Sequence, residues 1–253
     1  MEDVSQTKDV QNQDQNLDID LDQALETMRS RFVFQKKFIA TLSFIIFFCG
    51  VTAVLYSVFI FHNNLFNRLR YMTFNATIFS SISSLVVGIV CIWEIVTDKE
   101  MTVPLFYYLR LSSAVTEFVV FSVVMFGLLP IVNDSPDITS YTGIMMHLVV
   151  PPLVMISFIL NETPRGTMTP WRAFQGTWFI TLYSLVMLCI FGTGILPASM
   201  APYSFLDFEH SSVGFIISCV LGVYFVGYCI SWLLIRMNRA GYWLWYRNAS
   251  KTK

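Results

Sequence analysis

Six stretches of this chain, residues 38–61, 71–93, 111–132, 143–160, 173–197 and 213–235, are long and apolar enough to cross a bilayer. The single charged side chain among them is Glu117. Crossing hydrocarbon as a helix takes about 20 largely apolar residues, because only a helix or a closed barrel satisfies its own backbone there. Together the six stretches take more than half the chain and leave no room for a separate soluble domain. Only 13% of the residues are charged, against roughly 25% in a soluble domain. That is too little polar surface for a water-soluble body, which excludes a cytosolic enzyme or a secreted disulfide scaffold. A net charge of −1 gives no electrostatic reason to expect nucleic acid as a partner. The expectation is an all-α polytopic membrane protein, six helices in one bundle.

The basic residues orient it. Arg29, Arg31, Lys36 and Lys37, then Lys99 and Arg110, then Arg165 and Arg172, then Arg236, Arg239, Arg247, Lys251 and Lys253 flank the spans on one side. The other side has Arg68 and Arg70. The positive-inside rule then predicts cytoplasmic N- and C-termini and an even number of crossings. The cell membrane is the expected location. The domain expectation is an acidic cytoplasmic tail over residues 1–36, a transmembrane domain over 37–239, and a basic, aromatic cytoplasmic tail over 240–253.

The first segment is polar and holds nearly half of the acidic side chains, with no aromatic residue before Phe32. Such a composition predicts mostly disordered chain. Leu21, Leu25, Met28 and Phe32 recur at helical spacing, which fits either a helix lying on the membrane surface or a solvated lead into the first span. No signal-peptide pattern is present at the start. Cys49, Cys91, Cys189, Cys219 and Cys229 sit in apolar runs without metal or disulfide spacing and are read as small hydrophobes.

Polar residues inside hydrocarbon are costly, so those in the spans carry the most information. Thr73, Thr77, Ser80, Ser84 and Gly88 form one stripe along the second span. It suits close helix packing through small residues, or a polar pocket at its outer end, Thr73. In the fourth span His147 precedes Pro151 and Pro152, which should distort the helix and free carbonyls. Histidine is the natural proton carrier near neutrality, although a lone imidazole also serves as a packing residue. Both spans start on the outer side. At 1.5 Å per residue, Thr73 and His147 lie roughly 3 and 6 Å below the same boundary. A hydroxyl beside an imidazole is the minimal nucleophile and base for acyl transfer. Glu117 falls roughly 15 Å away towards the cytoplasmic side. Its expected partners are Arg110, on the same face, or a polar neighbour on another helix.

The segment Ala201-Pro-Tyr-Ser-Phe-Leu-Asp207-Phe-Glu-His210 is too apolar for a free loop and is expected to cap the outer mouth. Asp207, Glu209, His210 and His62 match no metal-ligand pattern. No metal, no cofactor, no phosphate loop and no GxSxG elbow are indicated.

Taken in order, Arg70-Tyr-Met-Thr73-Phe-Asn, Met146-His147 with Pro151, and Pro202-Tyr-Ser-Phe-Leu-Asp207 resemble the androgen-induced/androgen-dependent family of six-span membrane proteins and its bacterial relatives. The resemblance covers about residues 37–239. Characterised members are threonine hydrolases that cleave fatty acid esters of hydroxy fatty acids with an intramembrane Thr and His. The resemblance places that nucleophile on Thr73 and that histidine on His147. It implies a lipid ester as substrate, no cofactor, and nothing about oligomeric state. The chain departs at Ala76-Thr77, where bacterial relatives often carry Ser-Asn, and at Ser204, where the family often carries Pro. The resemblance therefore implies the catalytic pair rather than the substrate's identity. The alternative reading is a non-catalytic bundle, a small transporter or a scaffold, built around Glu117 and the stripe.

Overall fold

The computed structural model describes residues 3–59, 65–99, 101, 104–128, 138–161, 169–203 and 206–250, and among them there is no strand. The helices are α1 (Asp3–Phe59), α2 (Met72–Thr97), α3 (Pro104–Ser122), α4 (Val150–Asn161), α5 (Pro170–Gln175), α6 (Trp178–Gly192) and α7 (Val213–Ser250). Wider π-turns continue α3 over Val123–Leu128 and lead into α4 over Met145–Val149 from a short helical start at Tyr141–Ile144.

Among the described residues, five helical segments are long and apolar enough to cross a membrane: Leu25–Phe59, Met72–Thr97, Pro104–Phe126, Tyr141–Leu160 and Val213–Tyr242. The sixth expected segment, residues 173–197, differs. It is divided at Gly176–Thr177 into α5 and α6, and α6 has 15 residues. At the break the backbone is closely packed. A Cβ on Gly176 would meet the Ser231 Oγ at 2.2 Å and the Leu111 Cγ at 3.2 Å, so the backbone here is pressed between α3 and α7. Beyond the break the segment keeps its course. Gly227 of α7 faces Thr177 and Ile180, and Ile216 clusters with Met187 and Phe191. The pair α5–α6 thus runs antiparallel to α7 from Ser231 to Ile216, about 22 Å at 1.5 Å per residue.

At the centre stands α3. Leu111 through Glu117 are buried without interruption, so this helix is enclosed on all sides rather than along one stripe. On one flank α1 and α2 lie antiparallel. The Lys36–Glu94 ion pair closes one end at 2.7 Å, and Gly88 lies under the Phe44 ring. Further along, Gly50 lies against Ser81, and Ala53 clusters with Phe74. α2 ends at Asp98, whose φ of 55° is left-handed, a conformation that Asp tolerates better than most residues. Large apolar side chains such as Phe48, Ile82, Ile156, Leu185 and Phe225 are exposed, as expected for faces solvated by lipid rather than water.

Neither expected tail boundary is a helix boundary. α1 is continuous from Asp3 into the first apolar run, although the acidic segment reads as disordered by composition. Leu25, Met28 and Phe34 are exposed, and Arg29–Asp98 at 3.1 Å is a solvent-facing pair. This stretch therefore rests on helix propensity more than on packing. At the other end α7 continues through residue 239 to Ser250.

Candidate functional site

Thr73 stands at the first turn of α2, half-buried. Tyr71 ahead of it is extended and supplies no side-chain cap, so the first amides of the helix need other acceptors. One is provided from a distance: the Met72 N–H donates to the Tyr203 Oη at 3.1 Å. The intrahelical pattern begins with Asn75 N–H to the Tyr71 carbonyl at 3.2 Å. Between these two bonds, the amides of Thr73 and Phe74 have no acceptor among the described residues. The Thr73 hydroxyl likewise has no hydrogen bond there, while its carbonyl accepts from the Thr77 Oγ1 at 3.0 Å. A free hydroxyl therefore sits beside two free amides at the positive end of a long helix.

His147 lies on the π-turn Met145–Val149. The sequence dictates the distortion. The residues four and five beyond His147 are Pro151 and Pro152, so its carbonyl has neither an α-helical nor a π-helical donor. The backbone widens, and the Val150 N–H reaches back five residues to Met145. π-turns of this kind recur at functional sites. The His147 Nδ1 is buried without a hydrogen-bond partner among the described residues.

The two turns belong to neighbouring helices. α2 packs on the π-turn, and Phe74 and Met146, adjacent in sequence to Thr73 and His147, share one buried cluster with Ala53 of α1. Tyr141 holds the start of the fourth span against α1 through its Oη, 2.9 Å from the Thr52 Oγ1. No direct hydrogen bond joins Thr73 to His147 among the described residues.

Glu117 belongs elsewhere. Its Oε1 accepts from the Ser80 hydroxyl at 2.5 Å and its Oε2 has no partner. Of the two expected partners, the neighbour on another helix is the one found. Arg110, buried two turns earlier, donates to Ser84 at 3.1 Å and to Ser157 of α4. The stripe on α2 thereby serves two ends: Ser80 and Ser84 bind α3, while Gly88 admits the Phe44 ring of α1.

The loop before α7 does fold back on the bundle. Leu206 is buried, and Tyr203 packs against the central core and meets the Tyr71 ring edge-on at 6.5 Å. Asp207, Glu209 and His210 come together, but as a turn. Asp207 Oδ1 accepts the Glu209 and His210 amides, and its Oδ2 lies 2.8 Å from the His210 Nδ1. The His210 imidazole beside it holds the Asp207 carboxyl below the usual carboxylate range. His62 lies outside the described residues.

One residue at this end of the bundle has no counterpart among the sequence candidates. Tyr183 of α6 donates from its Oη to the Arg70 carbonyl at 2.5 Å. A tyrosine within an apolar run carries no periodic signal that would single it out. Arg70 itself ties the loop down through its guanidinium, which donates to the Met200 carbonyl and to Asn67.

Comparison with protein-family models, with curated proteins and with solved structures finds no match to this chain. Its several long apolar helices fit a helical, multi-pass membrane protein.

Proposed function

We propose that this chain is an intramembrane hydrolase of a lipid ester, with Thr73 as nucleophile and His147 as general base. The observation that carries this reading is the surroundings of Thr73: an unbonded hydroxyl and two unbonded amides, on a helix packed against the turn that holds an unpartnered imidazole. The first amides of a helix have no intrahelical acceptor and favour negative charge, so beside a free hydroxyl they suit a developing oxyanion. The resemblance to the androgen-induced/androgen-dependent hydrolases nominates the same pair.

In the reaction, His147 takes the Thr73 proton as Oγ1 attacks the ester carbonyl. The Thr73 and Phe74 amides face the developing oxyanion. Collapse breaks the bond to the alkoxy oxygen, which leaves as the alcohol with the proton from His147, and the acyl group remains on Thr73. A water then repeats the sequence and releases the fatty acid. The substrate is a membrane lipid or fatty acid ester whose chains lie between the helices. No cofactor takes part.

The reading includes six crossings, with both termini in the cytoplasm and the cell membrane as the location. The 22 Å course of α5–α6 beside α7, about two thirds of a hydrocarbon core, supports counting the broken segment as a crossing. Single cysteines at Glu209 and at Asp98 in a cysteine-free background test the orientation. The impermeant maleimide should label the first in intact cells and not the second; the reverse overturns the topology.

A fluorophosphonate probe on the purified protein tests the chemistry. Labelling should occur in the wild type and vanish in Thr73→Ala and His147→Ala. Labelling that survives Thr73→Ala overturns the assignment, and a wild type that neither labels nor hydrolyses lipid esters returns the chain to the transporter or scaffold class.

A further inference from the structure

Two phenols bridge the backbone immediately ahead of Thr73. Tyr183 Oη lies 2.5 Å from the Arg70 carbonyl, which accepts only, so the single Tyr183 proton goes there. Tyr203 Oη takes the Met72 N–H at 3.1 Å. The two bonds grip neighbouring residues from opposite sides: Tyr183 donates to the carbonyl of Arg70, and Tyr203 accepts the N–H of Met72.

This bridge spans Tyr71 and fixes the entry of α2 from two separate elements, α6 and the loop before α7. It also supplies the Met72 amide with an acceptor through a side chain. Asn75 also holds this entry, donating from Nδ2 to the Leu69 carbonyl at 2.6 Å. The phenols hold the other two points, so without them the Arg70 carbonyl is released and can turn back to the Phe74 amide as an ordinary i to i−4 partner.

We propose that Tyr183 and Tyr203 are positioning residues for Thr73, holding the start of α2 one turn short so that its first amides stay available to the substrate. This rests on the hydrolase reading. Neither phenol touches the reacting atoms; both act through the backbone of residues 70–72.

The test uses the full chain in detergent, with Tyr183→Phe, Tyr203→Phe and the double variant, each losing only a hydroxyl. Positioning errors of about 1 Å cost about 100-fold in rate. Each single variant should therefore lose about 10- to 100-fold in kcat on a lipid ester, with KM within about twofold, and the double variant, which frees both Arg70 and Met72, should lose at least as much as either. Fluorophosphonate labelling should slow by the same factor, and amide exchange at Met72 should accelerate. An active wild type whose Phe variants keep their kcat, or lose only in KM, overturns the positioning role and leaves the hydrolase reading standing. A wild type that neither labels nor hydrolyses brings down the hydrolase reading itself. If Tyr203→Phe fails to fold, Tyr183→Phe decides alone.

Discussion

Gly176→Ala probes the crossing between α5–α6, α3 and α7. The new Cβ would stand 2.2 Å from the Ser231 Oγ, 3.0 Å from the Ser231 Cβ and 3.2 Å from the Leu111 Cγ. Rotating the serine relieves the first contact and neither of the others, so helices must separate. Overpacking of this kind costs about 1–3 kcal/mol. Loss of glycine's freedom in the unfolded chain offsets less than about 1 kcal/mol. The Ser231 Oγ is buried without a partner, so Ser231→Ala alone should be neutral or slightly stabilising, since it removes an unpaired hydroxyl. In combination the order is set by geometry. Gly176→Ala with Ser231→Ala should recover part of the loss, while Ser231→Gly removes both serine contacts but leaves the Leu111 contact and adds about 1 kcal/mol for a glycine inside α7. Thermal unfolding of the detergent-solubilised proteins gives the double-mutant cycle, and the coupling between 176 and 231 should exceed about 1 kcal/mol. Additive effects, or a harmless Gly176→Ala, would refute the close three-helix contact and weaken the case for α5–α6 as a crossing.

Three further outcomes are expected. Thr73→Ala, His147→Ala and their combination should lose similar activity rather than multiply their losses, and Thr73→Ser should retain part; multiplicative losses in initial rates would show that the two residues serve different steps. Ser80→Ala strips Glu117 of its one hydrogen bond and should cost about 1–3 kcal/mol, whereas Ser80→Ala with Glu117→Leu should unfold close to the wild-type temperature; a harmless single variant would refute the pairing. Burial pushes the Tyr203 phenol up to about 12 from an ordinary 10.0. The stability held by the neutral phenol is thus complete below pH 10 and disappears as pH rises through 12, so wild type should lose more stability over that window than Tyr203→Phe.

Most of the spans were legible in the sequence because apolar length is a one-dimensional property, and the runs at α1, α2, α3, α4 and α7 announce themselves. The close contact at Gly176 was not, because Ser231, which crowds it, is more than fifty positions away. The π-turn was half legible: Pro151 and Pro152 foretold freed carbonyls, but how the backbone absorbs them depends on the packing around it. The stripe on α2 showed which face mattered and left open what it faced. Arg110 and Glu117, on one face of one helix, looked like mutual partners. Each instead found serines on other helices, which come much closer than two turns of α3 allow. The phenols that bond the backbone ahead of Thr73 come from a loop and a helix more than a hundred residues away, and no local pattern reports them.

The two ionisable groups buried in α3 also bear on biogenesis. A helix carrying Arg110 and Glu117 inserts poorly as an independent unit, since each charge-bearing group adds several kcal/mol to its transfer into lipid. The hydroxyls that receive them are on α2, already synthesised, and on α4, still to come. Nascent α3 should therefore enter together with α2 as a hairpin, Ser80 and Ser84 masking it on one side. Its guanidinium stays incompletely satisfied until Ser157 arrives. Until then the insertion machinery has a reason to hold the first three helices, and release of the chain into lipid becomes coupled to synthesis of the fourth.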